Sequence, residues 1–179
     1  MSIKDKLDLF DKIVIPILKY GDQIWGFIEG KSIERVHLHF CKKILGVKKA
    51  TPKAFVYGEL GRMPLQTYRV YDIIKYWLKL LLSNEHKYTK KVYALLKSDL
   101  DARPNVNKSC SLLKDILCKL DFYEFWLFPE VGHCKIFLSL VLQRIKDNYR
   151  HNLNGEISNM YNNCITTHHV SSFNLIYLY

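Results

Sequence analysis

The chain has no run of about 18 apolar residues, the length a bilayer span needs. It also has no Cys-x-x-Cys pair, no adjacent Asp-Asp, and almost no strand-like alternation of apolar and polar positions. Each absence removes a class. The apolar stretch IVIPIL stops at Lys19 and LKLLLS is too short, so no membrane partner is expected. The five cysteines (Cys41, Cys110, Cys118, Cys134, Cys164) are odd in number and irregularly spaced, and the start MSIKDKLD is charged rather than leader-like. Together these predict reduced thiols in an intracellular compartment, nucleus or cytoplasm. Without alternation there are no strands to build a sheet, and the recurring helical spacing predicts an all-α fold.

Enzymatic signatures are missing too. No Gly-x-Ser-x-Gly frames a nucleophile. Tyr57-Gly58-Glu59-Leu60-Gly61-Arg62 lacks the Lys that follows the last Gly of a phosphate loop, and Gly61 reads as a helix stop. Asp99-Leu100-Asp101 has a cation-holding spacing but sits at a helix end beside Arg103. His37 and Cys41 would make half a zinc site, and His133-Cys134 half of another, yet neither has a second half with fitting spacing. No metal, no cofactor and no catalytic residue is expected.

What the chain does have is 179 residues, enough for one core, and a formal charge of +10 that is concentrated. Residues 31–62 hold eight Lys/Arg against two Asp/Glu, and residues 63–97 hold seven against two. The flanks together are slightly acidic, so the excess lies in one central block, which points to a polyanionic partner.

Helix punctuation divides that block. A first helix is predicted over about Lys4–Trp25, with Leu7, Phe10, Val14, Ile17 and Leu18 on one face and Pro16 kinking or dividing it. Ser32 is placed as the N-cap of a second helix that ends at Gly46. Thr51-Pro52 opens a short helix that ends at Gly61, and Pro64 opens another to about residue 83. That fourth helix is apolar around most of its circumference apart from a stripe of Arg69, Asp72, Lys75 and Lys79, so it should be the central one. Further helices are expected over Tyr88–Lys97, Ser111–Leu120 and His133–His151, giving an irregular bundle of six to eight helices over residues 1–157. Residues 158–179 carry no Asp, Glu, Lys or Arg and are expected to form a poorly structured tail outside it.

On the second helix, Ile33, Val36, Phe40 and Ile44 fall on one side at 100° per residue, while Lys31, Arg35, His39, Lys42 and Lys43 fall on the remaining arc. Such a stripe is ordinarily the solvated face of a packed helix. The lack of acids on the arc supports a second reading, a phosphate-facing surface formed by Lys31, Arg35, Lys42, Lys43, Lys48, Lys49, Lys53 and Arg62. Tyr20 and Tyr57 are weaker candidates for stacking on bases.

Two segments also resemble a known family. Leu9–Phe27, with Pro16, Tyr20-Gly21 and Trp25, is similar to the region after the palm in reverse transcriptases of non-LTR (LINE-type) retrotransposons. The next segment resembles their post-thumb part through Glu34-Arg35-Val36, Phe40-Cys41-Lys42, Ile44-Leu45-Gly46-Val47-Lys48-Lys49, Thr51-Pro52, Tyr57 to Arg62 and Pro64-Leu65. The resemblance covers about residues 7–155 and fades after Trp77. It implies a C-terminal thumb/post-thumb segment without the polymerase palm or the endonuclease, since the clustered carboxylates that hold two metal ions for nucleotidyl transfer are missing. Its partner would be template RNA or an RNA–DNA hybrid, contacted without sequence preference. Two alternatives stay open: a docking platform for a polymerase core, or self-association, through an apolar patch; and a translated relic without selected function.

Overall fold

The computed structural model describes residues 2–22, 30–102, 108–129 and 132–166. These residues are all-α: eight helices and no strand among them. The helices are α1 (Ile3–Leu18), α2 (Lys31–Leu45), α3 (Lys53–Glu59), α4 (Leu65–Leu81), α5 (Tyr88–Ala102), α6 (Lys108–Lys119), α7 (Tyr123–Leu127) and α8 (Cys134–Thr166).

Local chemistry accounts for most of the boundaries. Ser2 and Asp5 form a reciprocal capping box that starts α1. Pro16 sits in the last turn of α1 without dividing it, and the helix stops at Leu18, ahead of Gly21 at φ 74°. Trp25 lies outside the described residues. The N-cap of α2 is Gly30, not Ser32. A side chain at Gly30 would run into the guanidinium of Arg69, so a residue without Cβ lets the two segments close up. Gly46 ends α2 in the left-handed conformation, as its position predicts, and the N–H of Val47 reaches back to the carbonyl of Lys42 at 3.1 Å. Thr51 does not cap α3. Pro52 occupies the cap position with extended backbone and Lys53 is the first helical residue, a shift of one. Gly61, at φ 60°, turns the chain so that Arg62 N–H donates to the Tyr57 carbonyl at 2.9 Å. The Arg103-Pro104-Asn105 loop falls outside the described residues.

α4 is the central helix. It buries Leu65, Arg69, Ile73, Ile74, Trp77 and Leu78. The larger core gathers Ile73, Ile74, Trp77 and Leu78 of α4 with Leu113 and Leu117 of α6, Trp126 of α7, and Phe137, Val141 and Ile145 of α8. A smaller one lies between α2 and α3, around Cys41, Val56 and Tyr57. Phe10 of α1 joins it by stacking on Phe40, with ring centroids 3.7 Å apart. The remaining α1 residues are less enclosed than their pattern predicts: Ile17 points outward.

α8 spans both cores. Its inward residues Phe137, Val141, Ile145, Tyr149, Leu153 and Ile157 recur every fourth position. Four residues advance about 400°, so the stripe drifts by about 40° per step around the helix. The first three face the large core; further on, Leu153 lies 4.0 Å from a Cβ placed at Gly58 in α3, and Glu156 pairs with Lys53. One rotating stripe can therefore serve two partners, and α8 continues to Thr166, across the boundary placed at residue 158. Residues 167–179 lie outside the described residues. No helix among the described residues is long and apolar enough to cross a membrane.

Candidate nucleic-acid interface

The buried side of α2 centres on His37 and Cys41, both essentially inaccessible, and Val36 is turned outward instead. A histidine displaces a valine from the interior because polar partners meet it there. Tyr57 Oη donates to Glu34 Oε1 at 2.5 Å and lies 3.5 Å from His37 Nδ1, which is itself 3.7 Å from that carboxylate. The other Glu34 oxygen accepts from Gln66 N–H at 3.4 Å, tying the start of α4 to α2. The Phe10 ring stacks on His37 from the α1 side. Tyr57 is therefore a core hydroxyl and no stacking platform, whereas Tyr20 is almost wholly exposed. His37 and Cys41 are packed core residues, and no group of three metal-ligating side chains occurs among the described residues.

This network has an electrostatic consequence. Burial pushes the Glu34 carboxyl up, but hydrogen bonds from His37 and Tyr57 outweigh it, and the net shift is downward. Burial, followed by the Glu34 contact, pushes the Tyr57 phenol far up, so the shared proton stays on the tyrosine. A carboxyl whose folded pKa is depressed contributes stability above its unfolded value, about 4.3 for glutamate, and loses it as pH falls through the folded value. Urea unfolding should therefore show stability dropping below about pH 4.3, with a shallower drop for Glu34→Gln. Identical acid profiles for the two proteins would contradict the assignment.

With Glu34, the sole acid of α2, held on the buried side, the opposite arc is left to cations. Lys31, Arg35, His39 and Lys43 are exposed along it. Lys42 is half-buried, and its Nζ donates to the Lys49 carbonyl at 2.5 Å, drawing the loop after α2 back against the helix. Lys48 and Lys49 are exposed in that loop. Lys42 and Lys43 also occupy the last turn, where cations complement the helix dipole.

Two of the eight predicted contact residues behave differently. Arg62 is turned toward α1 and forms a close ion pair with Asp11, so it is no open cation. Its position follows from the Gly61 turn, which aims the residue at α1. Lys53 pairs with Glu156 of α8 at 3.4 Å, but both side chains are exposed and such a pair is weak. Arg35, Lys43, Lys48 and Lys49 form no ion pair among the described residues.

The residues of the second basic stretch separate in space. Arg69 is buried against Asp22, 3.0 Å away, and Asp72 pairs with Lys19 at 2.5 Å, so the expected stripe on α4 is split. Lys97 is drawn over the Trp126 ring and donates to the Trp126 carbonyl at 2.8 Å. Lys75 and Lys79 are exposed near the other end of α4, beside Lys87. Sequence reasoning singled out none of these last three as contacts, although the charge excess of residues 63–97 signalled them. Asp99 is exposed beside the buried Leu100, and the Asp101 side chain lies outside the described residues. No family model, curated protein or solved structure matches the chain.

Proposed function

We propose that the chain is a non-catalytic, basic helical module that contacts the phosphate backbone of template RNA or an RNA–DNA hybrid, as the post-thumb segment of a non-LTR retrotransposon reverse transcriptase would. The observation that carries this reading is the exposed arc of α2 and its following loop, where Arg35, Lys43, Lys48 and Lys49 have no acid partner among the described residues. Three residues behind the resemblance support it in another way: Glu34 and Tyr57 hold the buried side of α2, and Gly46 ends the helix where the basic loop begins. Contact through ammonium and guanidinium groups is sequence-independent, and affinity falls with salt as counterions are released. Four to six contacts predict a slope of log affinity against log salt of about −3 to −5. A salt-titrated assay with single-stranded RNA, hybrid and duplex DNA tests this. Failure to retain any of them at about 50 mM salt removes the proposal.

A second reading is favoured by a specific surface. Leu9, Ile13 and Ile17 recur every fourth residue on α1 and are 50%, 55% and 70% exposed. A ridge of that kind suits docking on a polymerase core, or self-association when that core is missing. Under this reading the isolated chain scatters light as an oligomer, and Ile13→Ser with Ile17→Ser returns it to a monomer. A monodisperse wild-type monomer contradicts it.

A further inference from the structure

A groove of about 580 Å³ opens where the end of α4 meets the starts of α5 and α8. Its apolar surface comes from residues such as Leu78, Leu82 and Leu138, and Lys75, Lys79 and Lys87 line it with no carboxylate among its lining residues. These three ammonium groups form no ion pair among the described residues. The nearby acids are otherwise placed: Asp72 is held by Lys19, and Glu85 sits in the preceding loop outside the lining. Thr89, in the first turn of α5, and Cys134, at the start of α8, also line it, and neither helix carries an acid in its first turn. The groove thus combines an apolar surface, suited to a planar ring, with two cations on successive turns of α4 and a third, Lys87, just before α5.

We propose that this groove holds a short segment of single-stranded nucleic acid, with its phosphates on Lys75, Lys79 and Lys87 and a base against the apolar surface. The spread of the cations decides the ligand class. Lys75 and Lys79 are four residues apart, one helical turn, which matches a repeating anion better than a single headgroup. The apolar lining gains from a base and would gain nothing from an isolated phosphate. This inference deepens the nucleic-acid reading, since it shares that partner, but it concerns a surface separate from the α2 arc.

The test uses the full chain, a uridine RNA of about twenty nucleotides as probe, long enough to supply phosphates to both surfaces, and three proteins: wild type, Lys75→Gln/Lys79→Gln/Lys87→Gln, and a variant with the α2-loop lysines 42, 43, 48 and 49 changed to glutamate. Helical circular dichroism is expected to stay unchanged in the first variant, because all three side chains are exposed. Three lost contacts to a single strand should make the salt slope shallower by about 2, and the triple Lys→Arg replacement should restore it. The α2-loop variant should keep a residual slope of about −2 from the groove. A groove variant with the wild-type slope overturns the inference and leaves the α2 reading standing. Binding lost only in the groove variant supports the groove and removes the α2 arc as a single-strand site, leaving hybrid and duplex binding by the arc to the charge-reversal test on those ligands. A wild-type chain that does not bind the probe overturns the groove.

Discussion

Changing Lys42, Lys43, Lys48 and Lys49 together to glutamate should abolish retention of duplex DNA and hybrid at salt concentrations where the wild type binds. Each lysine that neutralises a phosphate contributes about 0.9 to the slope on B-DNA, so four contribute about 3.6. Across a change from about 50 to 200 mM salt, that corresponds to a roughly hundredfold loss of wild-type affinity. Reversal, unlike neutralisation, adds repulsion on the same surface, and the effect should be alike for every sequence. The substitutions carry a structural cost that must be separated from the binding effect. Lys42 Nζ holds the Lys49 carbonyl, so its loss loosens the loop. Acids in the last turn of α2 also oppose the helix dipole, at about 0.3–1 kcal/mol each. A Lys48→Glu/Lys49→Glu pair avoids both penalties because those side chains lie beyond the helix. That pair should still remove about half of the slope change. If it binds with the wild-type slope while the quadruple variant does not, the quadruple effect is a folding effect and the interface is wrong.

The parts of this fold that were legible in the sequence are those decided by the backbone within a few residues. Gly46, Gly61 and Pro64 mark ends and starts because a left-handed cap and a missing N–H act locally. The central position of α4 was legible for a different reason: a helix apolar on nearly every side has to be covered on nearly every side. The interface was legible as an arc but not as a membership list. Arg62 is removed from it by Asp11, 51 residues earlier, and Arg69 is withdrawn into the interior by Asp22. No spacing rule on one helix encodes either pairing. His37 exchanges places with Val36 for a partly similar reason: Glu34 stands one turn back on the same helix, but Tyr57, which completes the polar site, comes from α3.

Two of the departures from the expected helices, at α7 and α8, have separate causes. α7 is five residues long, too short to show a period, and it follows Asp121 at φ 62°, a conformation that few non-glycine residues adopt. Helical spacing places the end of α8 near His151, short of Thr166, because its apolar positions keep no fixed face. A stripe that drifts by about 40° per step loses its amphipathic signature once averaged over the whole helix. The drift is itself what allows one helix to brace two cores.

Trp77→Ala should be the most destabilising single substitution in α4, at about 3–5 kcal/mol by urea unfolding. For a domain whose total stability is about 5–15 kcal/mol, that would leave a large unfolded fraction or a molten protein. Trp77 is almost fully buried at the centre of the larger core, so truncation removes packing from several helices at once and leaves a void that the surrounding helices close only partly. A polar term adds to this. The indole N–H donates to Tyr93 Oη at 2.8 Å, and burial pushes the Tyr93 phenol up to about 12, with the Trp77 hydrogen bond opposing the shift. Without that donor the half-buried tyrosine oxygen loses a partner, a cost toward the lower end of about 1–3 kcal/mol. Trp77→Phe separates the contributions, because it keeps an aromatic ring and deletes the N–H; about 1–2 kcal/mol is expected. In Tyr93→Phe the donor rather than the acceptor is orphaned, so a cycle of Trp77→Phe with Tyr93→Phe should show coupling, the double variant being less unstable than the two single losses combined. Simple additivity would mean that the indole and phenol do not share this hydrogen bond in solution, and that α5 is held to α4 by apolar contact alone.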